Sequence, residues 1–242
     1  MSTPLHISIS EQLRHHIETG KYSPGEKLPS EHQLMETFEV SRITVRQAIA
    51  NLVNQGLAKS QQGKGVFVIP QKKVTYSLSS PFVLLEQDLA NKGIKLTFKN
   101  LTFRKVRPPK PVESILNLTE KAAYLQKKLL FMDNIVGALD ISYIDPALGK
   151  QFGPELKRHM TFPTLERHAI PIEHIEATIE CTRASYETSS YLEVPLGHPL
   201  IVYRYTAQST NQAPVLYGET LSRADRFCYS LNINKQPRSQ TV

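Results

Sequence analysis

The segment from Leu28 to Val68, LPSEHQLMETFEVSRITVRQAIANLVNQGLAKSQQGKGVFV, constrains the fold of this chain more than any other. Ser30 precedes a short apolar-periodic run, and Gln33 follows it at the spacing of a capping box, so a helix starts here. Leu34 and Phe38 lie on one side of that helix. Ser41 is the next capping residue, which leaves only a short turn around Glu39 and Val40. In the following helix Val45, Ala48, Ile49, Leu52 and Val53 form one apolar stripe, and Gly56 is placed to end it in the left-handed conformation.

The stripe also fixes what faces outward. At about 100° per residue, Gln47 and Asn54 point away from the core, and Thr44 and Arg46 flank that face. Arg42 lies on the shoulder, in the first turn, where a long side chain can splay outward. Arg matches guanine bidentately, Gln matches adenine, and Thr suits a phosphate or a thymine methyl, so this helix face fits a major groove. The bland alternative is an ordinary solvated helix face. Two short strands follow, Leu57 to Gln61 and Val66 to Ile69, around Gln62-Gly63-Lys64-Gly65. The glycines permit a tight tip and close approach to a backbone, and Lys64 brings a charge to it. After a helix of this kind, such a ribbon looks like the wing of a winged helix–turn–helix.

Charge supports the same expectation. Val40 to Lys73 holds six basic residues (Arg42, Arg46, Lys59, Lys64, Lys72, Lys73) and no Asp or Glu, whereas Met1 to Glu39 has three basic residues against six Glu. That predicts an acid-free face for a polyanion. The net charge of +7 agrees with an anionic partner. With 242 residues the chain has material for two cores. Its two cysteines, Cys181 and Cys228, suit neither a disulfide framework nor a CxxC metal site. His159, His168, His174 and His198 form no i, i+4 pair, and no metal or other cofactor is expected. No apolar run reaches the length of a membrane span and no signal-peptide pattern opens the chain, so a cytoplasmic protein is expected.

The domain plan is a DNA-binding unit over residues 1–69, a linker over 70–80 and a second domain over 81–242. The linker is partly extended and rich in Pro, Lys, Ser and Thr. In the second domain Phe82 to Asn91 reads as a helix ended by Gly93, and Leu96 to Phe103 as a strand with an irregularity near Asn100. Ala122 to Met132 and Ala138 to Asp145 read as a hairpin around Asp133-Asn134. Ile175, Ala177, Ile179 and Cys181 alternate with polar residues, the pattern of a half-buried strand. Further strands are expected at Leu200 to Gln208, Val215 to Ser222 and Cys228 to Ile233. Short helices are expected at Val112 to Leu116, Thr164 to His168 and Ser185 to Leu192. Short connections between strands favour an antiparallel sheet, and the class is α+β.

Several spaced elements together resemble the N-terminal domain of GntR-family bacterial regulators. They are Gly20 to Glu31 (GKYSPGEKLPSE), Val40 to Arg46 (VSRITVR), Gly56-Leu57 and Gly63 to Val68 (GKGVFV). The resemblance implies sequence-specific binding of a homodimer to a roughly palindromic operator in double-stranded DNA. Carried over, Arg42, Thr44 and Arg46 are recognition-helix contacts, with Ser41 and Gln47 beside them, and Gly63, Lys64 and Gly65 form the wing tip. His32 stands where many members have Arg. The rest of the chain is similar to the UTRA effector domain of the HutC subfamily. That similarity rests on Asp140-Ile-Ser-Tyr143, Leu192 to Gly197 (LEVPLG), Pro214 to Glu219 (PVLYGE) and Arg223 to Phe227 (RADRF).

This second resemblance implies a chorismate-lyase-like fold that binds a small molecule, here expected to be anionic, and alters DNA affinity. Phosphosugars, other phosphate-bearing metabolites and small carboxylates are the implied ligands. Phosphosugar-binding members carry Arg-x-Arg where this chain has Lys128 and Leu130, and one Lys cannot clamp a phosphate bidentately. Matching positions give Lys128, Asp140, Ser142, Tyr143, Glu219 and Tyr229 as effector candidates, with Arg183 beside them. The plainer alternative makes Tyr143 and Tyr229 core aromatics and Lys128 a solvated strand residue. Three functions stay open: a ligand-responsive regulator, most often a repressor in this subfamily; a constitutive DNA-binding protein whose second domain only dimerises; and a lyase-like enzyme. No nucleophile–base constellation supports the enzyme.

Overall fold

The computed structural model describes residues 4–69, 73–78 and 83–231. They divide into two compact units. The first takes in the chain up to Lys73 together with Cys181–Leu200 and Arg223–Arg226; the second takes in Val74–Glu180, Ile201–Ser222 and the residues from Phe227.

In the first unit three helices precede a hairpin: α1 (Leu5–Glu18), α2 (Glu31–Phe38), α3 (Arg42–Asn54), β1 (Ala58–Gln61) and β2 (Gly65–Val68). The two caps form as their spacing demands. Ser30 and Gln33 make a reciprocal capping box, and the Ser41 hydroxyl accepts from the Thr44 amide. Glu39 takes the left-handed conformation at φ 51, which turns the chain sharply between α2 and α3. Val45, Ala48 and Leu52 are fully buried against Leu13 of α1 and Leu34 of α2. Gly56 sits at φ +71, as its place after α3 requires. The hairpin gains a third partner that the sequence pattern hid: Lys27 bridges Phe67, and the Leu28 amide donates to the Val66 carbonyl at 2.8 Å.

The later elements are β3 (Val74–Leu78), α4 (Leu85–Asn91), β4 (Leu96–Val106), α5 (Lys110–Ile115), β5 (Ala123–Met132) and β6 (Ile135–Ile144). They continue with α6 (Pro146–Arg158), α7 (Thr161–Arg167), β7 (His174–Arg183), α8 (Tyr186–Leu192), β8 (Pro199–Gln208), β9 (Pro214–Arg223) and β10 (Phe227–Leu231). Six of the strands form one sheet in the order β4-β5-β6-β9-β8-β7. The β4–β5, β5–β6 and β6–β9 pairs are antiparallel. The β5–β6 hairpin turns through Asp133 and Asn134, both at positive φ, which matches a primed two-residue turn. The irregularity in β4 is a register shift between Asn100 and Thr102.

Several expectations change in three dimensions. Within the span read as a linker, Val74–Leu78 is a strand that pairs in parallel with β10, while residues 70–72 and 79–80 lie outside the described residues. Phe82, Ile233 and the residue before it, read as parts of a helix and a strand, lie outside them too. Helix α6 escaped the periodicity reading because Gly149, Gly153 and Pro154 interrupt it. Both glycines have a packing reason: a Cβ at Gly149 would strike the Tyr124 ring, and one at Gly153 would lie 3.0 Å from Phe103. The half-buried reading of β7 is wrong. As the sheet's edge strand it is exposed along nearly its whole length, with Ile179 47% exposed and Cys181 exposed. Alternation marks a strand able to bury one face, but burial needs a covering layer. Among the described residues no helix is long and apolar enough to cross a membrane.

Candidate nucleic-acid face and ligand cavity

The N-terminal half of α3 carries the candidate reading residues, and the core stripe sets their orientation. Val45 and Ala48 are buried, so Arg42, Arg46 and Gln47 are exposed. Ser41 and Thr44 spend their hydroxyls on each other, 2.9 Å apart, at the helix cap. His32 is exposed on α2 and lies 3.3 Å from Glu36. Gly63 and Gly65 have φ of 72 and 119, and Lys64 stands exposed between them at the hairpin tip.

The acid-free face does not survive folding. Glu31, at the start of α2, sits 2.7 Å from Arg42 Nε and 3.8 Å from Arg46 Nε. Glu193, the C-cap of α8, pairs with Lys59 of β1 at 3.3 Å. The charge pattern along the chain missed both, because α2 and α8 bring acids from segments distant in sequence. It missed a cation for the same reason. Lys27, in the acid-rich segment, crosses the wing so closely that a Cβ on Gly65 would lie 2.5 Å from Lys27 Cε. Ile43 is a further omission, 70% exposed between Arg42 and Thr44.

A cavity of about 80 Å³ lies in the second unit against the face of β5, β6, β9 and β10, under α4 and the start of α7. Of the effector candidates it takes in Lys128, Asp140 and Tyr229. Lys128 and Asp140 are register partners across β5 and β6, which is why both reach it. Lys128 is 1% exposed, and its ammonium donates to the His159 carbonyl at 2.6 Å and lies 4.6 Å from the Phe98 ring centroid. Burial pushes its pKa down to about 8, partly offset by the Asp140 and Glu86 carboxylates. Asp140 accepts from Ser142 at 2.8 Å, Thr220 at 2.8 Å and Tyr205 at 3.3 Å. Burial pushes the Glu86 carboxyl up.

Tyr203 and Tyr229 stack with centroids 5.3 Å apart, and Tyr76 and Phe227 meet the Tyr229 ring edge-on. Burial raises the Tyr203 hydroxyl above its ordinary value and those of Tyr76 and Tyr229 well above it. Ser222 is fully buried in the cavity wall, where its hydroxyl neighbours that of Tyr229 and partly offsets the effect of burial on it.

The other candidates are not brought there. Ser142 is buried and serves Asp140. Tyr143 and Glu219 fall on the opposite side of the sheet, since strand side chains alternate: Asp140 faces the cavity, so Tyr143 cannot, and Thr220 does, so Glu219 cannot. Glu219 instead binds Arg204 at 3.1 Å and accepts from Tyr217 at 2.8 Å. Arg183 belongs to the first unit, beside the Gly197 carbonyl. Thr220, Ser222 and Tyr205 were missed, although period two from Thr220 would have found Ser222.

Residues 6–68 match the family described as bacterial regulatory proteins, gntR family, and residues 91–228 match the UTRA domain. The HTH-type transcriptional repressor NagR of Bacillus subtilis (strain 168) is 25% identical over 228 residues, 93% of each chain. A probable fructoselysine utilization operon transcriptional repressor of Escherichia coli (strain K12) is 27% identical over 237 residues, 94% of each. The crystal structure of PhnF from Mycobacterium smegmatis shares the fold, with a TM-score of 0.61 at 17% identity over 94% of this chain and 100% of that one. GntR regulators bind operator DNA and UTRA domains bind small-molecule effectors, so the lyase-like alternative falls. With a capped recognition helix and wing in its N-terminal match and a lined cavity in its C-terminal one, the chain belongs to the GntR family of DNA-binding transcription regulators, with a UTRA effector domain.

Proposed function

We propose that this regulator is a cytoplasmic repressor. It binds a roughly palindromic operator as a homodimer and changes its operator affinity when an anionic small molecule enters the cavity around Lys128. The observation that carries this reading is Lys128 itself, a buried ammonium held by the His159 carbonyl and the Thr161 hydroxyl in the wall of a cavity that Ser222 also lines. Arg42, Thr44 and Arg46 inspect bases, while Lys64 and Lys27 hold phosphates. The exposed edge strand β7, with Ile179 uncovered, supports a second copy as its cover. The two recognition helices of a dimer must sit about 34 Å apart on the duplex, and an effector that favours another spacing weakens binding. A thermal-shift screen with a metabolite library tests the reading. A stabilising anion that also alters operator retention supports it, and a hit with no influence on retention leaves a constitutive DNA-binding protein.

Two outcomes at the DNA face separate phosphate holding from base reading. Lys64→Ala should weaken binding to every duplex alike and reduce the salt slope by about one unit; anisotropy titrations from 50 to 200 mM salt measure it. Glu31→Gln should raise affinity for any duplex by up to about fivefold, because it releases Arg42 and Arg46 from a partly exposed ion pair. The same substitution should narrow the gap between operator and random DNA, since Glu31 holds both arginines in place. Unchanged affinity would show that the pairs dissolve without cost.

A further inference from the structure

The end of α3 is held by a network that neither base reading nor ligand binding uses. The Asn54 carbonyl lies 3.1 Å from His198 Nδ1, and Asp225 Oδ1 lies 3.0 Å from His198 Nε2. His198 thus spans the helix-end carbonyl and the Asp225 carboxylate with its two ring nitrogens. Arg223 grips the same carboxylate, from Nε at 3.1 Å and Nη2 at 2.7 Å, and extends Nη1 to the Leu192 carbonyl at 3.4 Å. Arg226 Nε stands 3.8 Å from it as well. The His198 and Asp225 side chains are 1% and 4% exposed. Burial alone would raise the Asp225 carboxyl, but hydrogen bonds from His198 and Arg223 hold it well below the ordinary carboxylate range. There is no slack at the contact: a Cβ on Gly56 would lie 2.6 Å from Asp225 Oδ2. All of these groups belong to the first unit.

The chain on either side of that network makes it more than a brace. Thr220 and Ser222 line the cavity immediately before Arg223, and Phe227 and Tyr229 line it immediately after Arg226. One four-residue turn therefore has both stems in the cavity wall and its tip at the end of the recognition helix.

Resting on the reading of the cavity as the effector site, we infer that the Arg223–Arg226 turn carries cavity occupancy to α3, with Asp225 and His198 as its positioning residues. A buried charge network suits this work, because loss of one partner strands the others, so it shifts as a unit or not at all. A ligand that displaces Ser222 or Phe227 moves the Asp225 carboxylate, and the Asn54 end of α3 follows.

A double-mutant cycle on the full chain tests this without an identified ligand. The probe is the duplex that the wild-type chain selects from a randomised pool. The surrogate for an occupant is Ala138→Val, which fills space from a cavity-lining residue directly across from Ser222 in register. Asp225→Asn alone should lower operator affinity roughly tenfold or more. Ala138→Val should shift affinity by about threefold to thirtyfold in the wild-type background, and the shift should vanish in the Asp225→Asn background. Urea unfolding verifies that each variant folds, and His198→Gln replaces Asp225→Asn if the latter does not. Equal shifts in both backgrounds overturn the proposed route and leave cavity control standing. No shift in either background overturns the route together with the cavity reading.

Discussion

Arg46→Ala should lower operator affinity by about 1–3 kcal/mol, roughly fivefold to 150-fold, and flatten base preference at one position in each half-site. The size follows from the helix. Val45 and Ala48 are buried to either side, so the Arg46 side chain has only the exposed face to occupy, and it leaves from the first half of α3 where a groove-bound helix meets base edges. A guanidinium that pairs two acceptors on guanine cannot be replaced by water of the same geometry. Binding measured against a panel of single-base operator variants would check it. A uniform loss across the panel would make Arg46 a phosphate contact, and no loss would place the recognition surface elsewhere.

Lys128→Met should change the pH dependence of stability. The ammonium titrates near 8 in the folded chain against 10.5 for an unperturbed lysine, because burial disfavours its charge. Below about pH 8 both folded and unfolded chains hold the proton, and the burial penalty is fully present. Between about 8 and 10.5 the folded chain has released a proton that the unfolded chain keeps, so stability rises with pH through that window. The whole penalty is about 3 kcal/mol at 1.36 kcal/mol per pH unit. Methionine removes it at similar volume. The carboxylate of Asp140 keeps hydrogen bonds from Ser142, Thr220 and Tyr205, so the variant should fold. Urea unfolding followed by circular dichroism should show the variant gaining on the wild type at pH 7 and losing that lead by pH 10.5. A lead independent of pH would mean that Lys128 is solvated. In the same variant, response to an anionic effector should be lost.

Much of the DNA-binding half was legible because its signals are local. Ser30, Gln33, Ser41 and Gly56 act within one turn of their own positions, and each does what its spacing requires. What was not legible came from distance. Glu31 faces arginines 11 and 15 residues away, and Glu193 meets Lys59 across 134. Neither charge runs nor helical period carry such pairings. In the second half the hairpin at Asp133-Asn134 and the break at Asn100 were readable, since both are set by short-range backbone needs. Tyr143 and Glu219 lie on the other face of the sheet from the cavity, because motif resemblance gives position along a strand and not its facing side, which the pairing of β6 with β9 decides. The alternation in β7 misled in the opposite sense, since on this edge strand only Ile175 packs on the core while Ile179 and Cys181 stay exposed.

The parallel pairing of β3 with β10 sets an order of events. Val74 is partnered by Phe227, 153 residues later. The strand that leaves the winged helix therefore waits for those intervening residues to emerge before it finds its neighbour, and such a long loop closes slowly. Phe227 and Tyr229 of β10 wall the cavity, so that wall is complete only once β10 has reached β3. A nascent chain can thus shape the helices around its wing early, but the wall that a sensed molecule would meet is finished only after β10 has joined β3.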